Sequence, residues 1–407
     1  MNRTDGSFRV CIMTETYYPV TGGGESQARA LAEGLQATGI PVQLVTRRSD
    51  AALAPREVSN GVQLHRARPT GTSHFRKWGL LFTTLVTLVK LKSRYDIVLV
   101  CGFRVLGIPA LLVNLFLGRP CVLKADSQGE LSGQFFDAGL ARLKLRHDRF
   151  PVSAFVSARN VLLRRASRFV AISAVIEQEY LAAGVPAERI KRIPNSVDLS
   201  RFQPVSGEGK NSLRNRLGIA IGAPVAIFTG RLVTTKGLPS LLRAWPVVLE
   251  RHPQALLVLV GSGGLGIQNC EEMLRRQVGE KRLEASVLFT GSVDNVQEYL
   301  QASDVFVFPT EREAFGISII EAMACGVPVV TPGVDGIRDI VRPGLDALVV
   351  IPGDDEALAK AIACALAGGA DIEAIAATAL ERARQRYSSE RIVAAYKELL
   401  TEVLNER

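Results

Sequence analysis

The sequence predicts an α/β protein made of two doubly wound domains, each built on a parallel sheet. Short apolar strand-like runs alternate with helix-like segments along most of the chain, as in sheets covered by helices on both faces. The alternation stops once, over residues 193–211, where Pro, Ser, Gly and Asn are frequent, and then restarts. Hydrophobic residues occupy 47% of the 407 positions, which is enough for two cores.

The first half of the chain contains five strand-like segments. They read FRVCIMTE, PVQLVT, YDIVLVCG, PCVLKAD and RFVAIS. Between the first two, SQARALAEGLQATG has helical spacing and ends at Gly39, a residue type that commonly terminates a helix. We expect a first Rossmann-like domain over residues 1–195.

The second half contains six more strand-like segments. They read PVAIFTG, ALLVLVG, SVLFTG, VFVFPT, PVVTPG and ALVVIPG. We expect a second Rossmann-like domain over residues 205–385, followed by an amphipathic helix within residues 386–407. Two such domains facing one another would leave a deep cleft at the carboxyl ends of their strands, where ligands bind in this architecture.

Basic residues concentrate in two stretches of the first half, and the net charge of the chain is +9. Residues 76–94 hold five Lys or Arg and no acid, while residues 142–168 hold eight and one acid, Asp148. Basic amphipathic helices suit an anionic membrane surface; ordinary sheet-covering helices with solvated cations are the alternative. No recognised nucleic-acid-binding motif supports a nucleic acid as the partner.

The cysteines and histidines indicate neither disulfides nor a metal site. Six cysteines lack CxxC spacing and four histidines form no cluster. The longest apolar run, Val105–Leu117, has 13 residues, whereas about 20 are needed to span a bilayer. No signal peptide is recognisable. We expect a cytoplasmic protein that is peripheral on the inner face of the membrane.

A glycine loop, TGGGE at Thr21–Glu25, follows the first strand and opens the first helix. Helix amino termini present N–H groups and a partial positive charge to anions. Gly23 and Gly24 would let a phosphate or a sugar approach the backbone closely. An ordinary strand-to-helix turn is the alternative.

A second loop, GRLVTTKG, follows the first strand of the second domain and carries Arg231 and Lys236. Two cations five residues apart suit a diphosphate, because the guanidinium binds as a fork and the ammonium as a point charge. Solvated surface charges are the alternative.

The stretch Glu311–Val330 is the most informative of the chain. Glu313 precedes Phe315-Gly316-Ile317, and the apolar helix that follows carries Glu321. A buried acid needs hydrogen-bond donors, so two acids that bracket a helix amino terminus suit the hydroxyls of a ligand. The N–H groups of Gly316 and Ile317 would meet its phosphates. This pattern fits a nucleotide-sugar.

These motifs, in this order, strongly resemble the retaining glycosyltransferases of family 4, which have the GT-B fold. The segments ISAVIEQEYLAAGVPAERIKRIPNSVDLSRF and GSVDNVQEYLQASDVFVFPT resemble that family as well. The resemblance extends over nearly the whole chain. It implies an acceptor-binding first domain, a donor-binding second domain and a C-terminal helix that packs back on the first.

The resemblance also implies a role for each candidate residue. Arg231 and Lys236 would neutralise the donor diphosphate, and Glu313 would hold hydroxyls of the donor sugar. Glu321 would bind the ribose, and Val293 would lie at the nucleobase. Phe315, Gly316 and Ile317 would line the donor site, and Gly23 and Gly24 would face the diphosphate from the first domain.

The implied reaction is transfer of a hexose-type sugar from a nucleotide diphosphate with retained anomeric configuration. The departing diphosphate would help to remove the acceptor proton. The acceptor would be a saccharide or a lipid-linked saccharide of the cell envelope. We expect no cofactor and no metal ion, since no Asp-x-Asp motif stands out and the two cations serve instead.

The sequence departs from the family at the strand PCVLKAD. Many members carry a His in the following loop, whereas Ala125 stands here with Lys124, Asp126 and Glu130 nearby. We take Lys124 and Asp126 as candidate acceptor contacts; a helix-capping or loop acid is the alternative for Asp126. Ser196 replaces a common Gly, which we interpret as a minor backbone variation.

Other functions remain open at this point. They are transfer to a small-molecule natural product, epimerisation of a nucleotide-sugar on the same architecture, a catalytically silent partner subunit and NAD-dependent oxidoreduction. The last rests on Gly261-x-Gly263-x-x-Gly266, which has dinucleotide-fingerprint spacing. That loop follows the second strand of its domain rather than the first, and the expected acid about 20 residues on is missing.

Overall fold

A computed structural model of the chain describes residues 8–20, 22–71, 77–137, 145–264 and 268–406. The predictions that involve Thr21, Gly266, residues 72–76 and residues 138–144 fall outside this part. The chain divides into two compact units. Unit 1 comprises Met1–Ser196 with Ser389–Arg407, and unit 2 comprises Val197–Ser388.

Each unit contains one sheet, and the strands are numbered along the chain. Those of unit 1 are β1 Val10–Thr14, β2 Val42–Arg47, β3 Arg56–Ser59, β4 Val62–Ala67, β5 Ile97–Cys101, β6 Cys121–Lys124, β7 Arg168–Ala171 and β8 Ile190–Arg192. Those of unit 2 are β9 Val225–Thr229, β10 Leu256–Val260, β11 Val287–Gly291, β12 Val305–Val307, β13 Val329–Pro332 and β14 Leu348–Val350.

The described α-helices are numbered in the same way. They are α1 Gly23–Ala37, α2 Lys77–Lys90, α3 Phe103–Phe116, α4 Val152–Leu163, α5 Ala174–Ala182, α6 Gly207–Leu217, α7 Leu238–Arg251, α8 Glu271–Glu280, α9 Val296–Gln301, α10 Ile317–Ala324, α11 Ile337–Ile340, α12 Asp355–Ala367, α13 Ala370–Tyr387 and α14 Ser389–Asn405.

The sheet of unit 1 is parallel except at one edge. Its strand order is β3-β4-β2-β1-β5-β6-β7-β8, and only β3 and β4 pair antiparallel among the described strands. These two strands are absent from our sequence prediction. They form a hairpin whose turn residues Asn60 and Gly61 have φ of 48° and 81°. Asn-Gly between two strand-like runs is the local signal for such a turn.

The C-terminal helix α14 completes the core of unit 1. Its buried face contributes Ile392, Val393, Tyr396, Leu399, Leu400 and Val403 to the cluster that contains β1, β2 and α1. The helix crosses α1 at Gly34, where a Cβ atom would lie 2.4 Å from Cγ2 of Val393. The absence of a side chain at Gly34 therefore sets how closely the two helices approach.

The sheet of unit 2 is entirely parallel within the described residues, with the order β11-β10-β9-β12-β13-β14. From β9 the chain adds β10 and β11 on one side of the sheet and then adds β12, β13 and β14 on the other side of β9. The direction of strand addition therefore reverses between β9 and β12. The expected linker over residues 193–211 is partly wrong, because α6 begins inside it. The Ser206 hydroxyl caps that helix by accepting a hydrogen bond from Gly209 N at 3.1 Å.

In the described residues, no single helix is long and apolar enough to cross a membrane. One bent pair, Asp355–Ala367 with Ala370–Tyr387, passes by length and composition alone, at an angle of 95°.

Replacing Gly34 by Ala should destabilise unit 1 by about 1–3 kcal/mol, because the steric overlap outweighs the gain in helix propensity. Gly279→Ala is the matched control. The nearest atom to a Cβ there is Glu284 Oε1 at 3.7 Å, an ordinary contact, so that variant should be neutral or slightly stabilising. Thermal unfolding of both variants measures the effect. A gain of stability in Gly34→Ala would contradict the close helix crossing.

Candidate functional site

The reversal of strand order in unit 2 brings together two loops that are far apart in the sequence. Ligands of doubly wound sheets bind at this kind of switch point, beyond the carboxyl ends of the strands. Here Lys236 Nζ, after β9, contacts Glu313 Oε2, after β12, across 77 residues of sequence. The two loops are also tied by Thr310, whose hydroxyl donates to Thr235 O at 3.0 Å.

Two glycines allow the loops to approach. Gly237 has φ of 67°, and a Cβ on it would lie 1.9 Å from Pro309 O. A Cβ on Gly336 would lie 2.1 Å from Ala314 O, and the Gly336 N–H donates to Glu313 O at 3.0 Å. A side chain at either glycine would therefore displace the loop that carries Glu313.

The two cations of the predicted diphosphate clamp have different surroundings. Lys236 is half-buried, with its ammonium 4.9 Å from the ring centroid of Phe308, a distance at which a cation is attracted to an aromatic face. Arg231 is exposed directly after the strand end. The lysine is thus held by an ion pair and a ring, whereas the arginine is available to a ligand.

Glu313 lies where α10 begins. Its Oε1 accepts a hydrogen bond from Ala314 N at 3.0 Å, and Gly316, the residue that caps α10, has φ of 105°. The Glu313 carboxylate therefore stands beside a helix amino terminus, whose first N–H groups have no partner within the helix. The ring of Phe315 points away, packed edge-on against Tyr387 at 5.8 Å, so only its backbone could meet a ligand.

Glu321 is the acid of α10 that the fold leaves without a partner. Among the described residues its carboxylate has no hydrogen bond or ion pair. Burial raises the pKa of Glu321 to about 7, and the positive charge of Arg201 opposes this only in part. A carboxylate in such a position is stabilised when a ligand brings hydroxyl donors.

The loops after β10 and β11 are joined to each other at the same edge of the sheet. Gly261 N donates to Gly291 O at 2.9 Å, and the hydroxyls of Ser262 and Ser292 lie 2.9 Å apart. Val293 follows directly and is half-buried.

Side chains of nearby residues already contact the glycine loop that begins at Gly261. The N–H of Gly263 donates to Glu271 Oε2 at 3.0 Å, and a Cβ there would lie 1.7 Å from Asn269 Oδ1. This N–H is therefore unavailable to a phosphate, which argues further against a dinucleotide fingerprint.

The carboxyl edge of unit 1 presents a carboxylate instead. Asp126 follows β6 and lies against the start of two helices. A Cβ on Gly24, in the first turn of α1, would be 3.4 Å from Asp126 Oδ2, and one on Gly102, the cap of α3, would be 3.2 Å from it. An anion that approaches Gly24 therefore meets a like charge, whereas a hydroxyl meets an acceptor.

Lys124 forms an ion pair with Asp126 from the buried side. Its side chain is buried and its ammonium contacts Asp126 Oδ1. Although burial opposes the charge, the neighbouring Asp126 raises the pKa of Lys124 well above its usual range. Glu130 Oε1 accepts hydrogen bonds from the backbone N–H groups of Asp126 at 3.1 Å and Ser127 at 3.2 Å. Burial raises the pKa of Glu130 to about 7, Arg104 opposing this and Asp126 adding to it.

The structure therefore groups the sequence candidates by unit. Unit 2 contains Lys236 and Glu313, which are in contact, and also Arg231, Gly316, Ile317, Glu321 and Val293. Unit 1 contains Gly23, Gly24, Lys124 and Asp126, which lie at the carboxyl edge of its sheet. The sequence reasoning missed Thr310, Gly237 and Gly336, which hold the loops together. In the described part of the chain, no group of three or more His, Cys, Asp and Glu side chains could hold a metal ion.

Comparisons with known proteins agree with this architecture. Residues 22–196 match the family described as a glycosyl transferase 4-like domain, and residues 209–383 match the glycosyl transferases group 1. The fold and the paired domains define a GT-B glycosyltransferase. The chain belongs to the group 1, family-4-like glycosyltransferases, which confirms the resemblance found in the sequence.

Three similar proteins place the chain within this class. It is 28% identical to an uncharacterized glycosyltransferase of Methanocaldococcus jannaschii over 94% of this chain and 95% of the relative. It is 34% identical to a GDP-mannose-dependent phosphatidylinositol monomannoside mannosyltransferase of Corynebacterium glutamicum, over only 40% of this chain and 43% of that relative. The structure of Anabaena HepE with UDP-glucose has a TM-score of 0.78, with 22% identity, 97% of this chain covered and 100% of that one.

The raised pKa of Glu321 makes the stability of unit 2 pH-dependent. The folded-state pKa lies above the ordinary 4.5, so the contribution of this carboxyl is fully present below pH 4.5 and is lost as the pH rises through about 7. Glu321→Gln should therefore lose less stability than the wild type between about pH 5 and about pH 8. Urea unfolding across that range measures the difference.

The control is Glu373→Gln, which removes an exposed carboxylate from α13 in the same unit. Its pH profile should follow that of the wild type. If Glu321→Gln also follows the wild type, Glu321 is not desolvated as described.

Proposed function

We propose that the protein is a retaining, metal-independent hexosyltransferase. It moves a hexose from a nucleotide diphosphate to a saccharide or lipid-linked saccharide acceptor in cell-envelope polysaccharide or glycoconjugate synthesis. The observation that carries the proposal is the Lys236–Glu313 pair at the switch point of unit 2, beside the amino terminus of α10. A cation and a carboxylate fixed there suit the diphosphate and the hydroxyls of one donor.

Arg231 and Lys236 stabilise the departing diphosphate. The bond between the anomeric carbon and the phosphate oxygen breaks, negative charge develops on the diphosphate, and preorganised cations lower the barrier at that stage. The acceptor oxygen bonds to the anomeric carbon on the same face, and its proton passes to the diphosphate. Because an ammonium has three donors, Lys236 can bind the diphosphate while it keeps its contact with Glu313.

The rest of the donor meets Glu313, Glu321 and Val293. The Glu313 carboxylate accepts hydrogen bonds from hydroxyls of the sugar, and the unpartnered Glu321 carboxylate accepts those of the ribose. Val293 packs against the nucleobase. Two similar proteins carry GDP-mannose and UDP-glucose in their names, so both bases enter the donor screen below.

The acceptor binds at the carboxyl edge of unit 1. Asp126 accepts a hydrogen bond from an acceptor hydroxyl, and the buried Lys124 orients that carboxylate. The proximity of Asp126 to Gly24 favours a sugar hydroxyl rather than a phosphate at Gly23 and Gly24.

Unit 1 attaches peripherally to the anionic inner face of a membrane. Helix α2 packs against α3, and α3 against α4, so the three form one layer. Seven large apolar side chains of this layer are exposed: Phe82, Val89, Leu112, Leu115, Phe116, Phe155 and Val161. Lys90, Lys92 and Arg94 are exposed at the end of α2. Apolar side chains beside cations fit a surface of anionic lipid.

Transfer is tested by screening UDP-, GDP- and ADP-hexoses with saccharide acceptors, with and without EDTA. One donor should support transfer that EDTA leaves unchanged, and the product should keep the anomeric configuration by NMR. Arg231→Ala and Lys236→Ala should each lower kcat by about 10²–10³, the usual loss for one transition-state donor.

Arg276→Ala is the matched control, because Arg276 is an exposed cation on α8 outside the site. Near-wild-type rates in both Arg231→Ala and Lys236→Ala would refute the proposed binding of the diphosphate by these two cations. An inverted product would overturn retention, and a donor that epimerises without acceptor would favour the 2-epimerase.

Membrane attachment is tested by flotation with phosphatidylglycerol vesicles at low salt. The double variant Phe82→Ser, Phe116→Ser should bind at least about tenfold more weakly, since each side chain buries apolar area in the membrane. The control variant Val58→Ser, Ile351→Ser removes two apolar side chains of similar exposure elsewhere. Absence of wild-type binding would refute the attachment.

A further inference from the structure

Two of the three guanidinium nitrogens of Arg47 are buried without a hydrogen-bond partner. Arg47 is the last residue of β2, and it is only 4% exposed. Its Nε and Nη1 atoms are buried and make no hydrogen bond, and no described carboxylate forms an ion pair with it. Because a buried charge is costly without a counterion, this side chain is poised for an anionic ligand.

The alternation of β2 places Arg47 on the face of the sheet that α1 does not cover. Val42 and Leu44 point into the core with α1 and α14. Successive side chains of a strand point to opposite faces, so Arg47 points to the other side. In the register with β4 it lies beside Ala67, the last residue of that strand.

Helix α2 begins at the same corner of unit 1. A Cβ on Gly79, in its first turns, would lie 3.4 Å from Pro69 Cδ, and the Thr83 hydroxyl donates to Arg68 O. Both Arg68 and Pro69 follow directly after β4. The amino terminus of α2, with its partial positive charge, therefore lies near the end of β2 as well.

Several described charged groups around this corner have contacts of their own. Glu15, the residue after β1, accepts a hydrogen bond from the backbone N–H of Arg47 at 3.3 Å, and its carboxylate interacts electrostatically with Arg104. Arg48 donates to Leu53 O at 2.8 Å, and Arg66 forms an ion pair with Glu57 at 2.5 Å. Among the described residues, no ion pair to Arg47 offsets its charge.

The geometry points to Arg47 as the binding group for an oxyanion, a phosphate or a carboxylate, on the acceptor molecule. This rests on the proposed function, which places the acceptor at the same edge. Three strand spacings separate β2 from β6, about 14 Å, so Arg47 and Asp126 contact different parts of one acceptor. A guanidinium fork matches both oxyanions, and the acceptors selected would be acidic saccharides.

The test compares the binding of glucose, glucose-6-phosphate and glucuronate by the full chain, measured by titration calorimetry. The wild type should bind at least one acidic sugar about tenfold or more tightly than glucose. Comparison of glucose-6-phosphate with glucuronate shows whether the site prefers a phosphate or a carboxylate. Arg47→Gln should abolish the preference, and Arg47→Lys should restore only part of it. Arg189→Gln, an exposed arginine near β8, is the matched control and should keep the preference.

The binding of UDP-hexose to the same variants separates this inference from the proposed function. Arg47→Gln should bind the donor like the wild type, which also shows that the variant is folded. An equal affinity of the wild type for all three sugars, or a preference that survives Arg47→Gln, would overturn the assignment. A wild type that binds no nucleotide-sugar but prefers the acidic sugars would refute the transferase and keep the oxyanion site.

Discussion

The contact between Lys236 and Glu313 is the interaction on which the site of unit 2 depends. It joins the loops after β9 and β12, the two strands between which the order of the sheet reverses. Gly237 and Gly336 lack side chains where a Cβ would collide with the opposite loop, so the backbone of the site is built to permit this one ion pair. In the proposed reaction, an ammonium that is already oriented before the donor binds would need no reorganisation, which is how fixed charges act in catalysis.

The carboxyl edge of unit 1 also has a lysine–carboxylate pair, but the more accessible partner is the carboxylate rather than the cation. A lysine and a carboxylate again meet beside the start of a helix, but here Lys124 is buried and Asp126, whose side chain is 15% exposed, is the more accessible of the two. In unit 2 an exposed Arg231 supplements the half-buried pair. One edge therefore presents a hydrogen-bond acceptor and the other a cation, which matches a hydroxyl ligand in unit 1 and a diphosphate ligand in unit 2.

Most strands of the two cores were predictable from local pattern, because a buried parallel strand is a continuous apolar run. Strand β4 was missed, since Gln63, His65 and Arg66 interrupt its apolar residues. Edge strands β3 and β8 lack that signal; β3 is mostly exposed and β8 has three residues. The residue types of the site were readable too, since Arg231, Lys236, Glu313 and Glu321 lie in short motifs. What the sequence could not give is the pairing of Lys236 with Glu313, the burial of Lys124 and the isolation of Arg47, because each depends on segments distant along the chain.

The charged side chains of the fold divide by whether the chain itself satisfies them. Glu313, Lys236, Lys124 and Asp126 have partners, and these contacts fix the geometry of the two edges. Among the described residues, the Glu321 carboxylate has no hydrogen bond and only the charge of Arg201 favours its ionised form. The Nε and Nη1 atoms of Arg47 are buried without a hydrogen bond. Burial without hydrogen bonds disfavours an ionised side chain, so each of these positions costs stability when it is charged. One is an acidic residue of unit 2 and the other a basic residue of unit 1, and the ligand chemistry proposed for each unit would satisfy it: ribose hydroxyls for Glu321 and an oxyanion for Arg47.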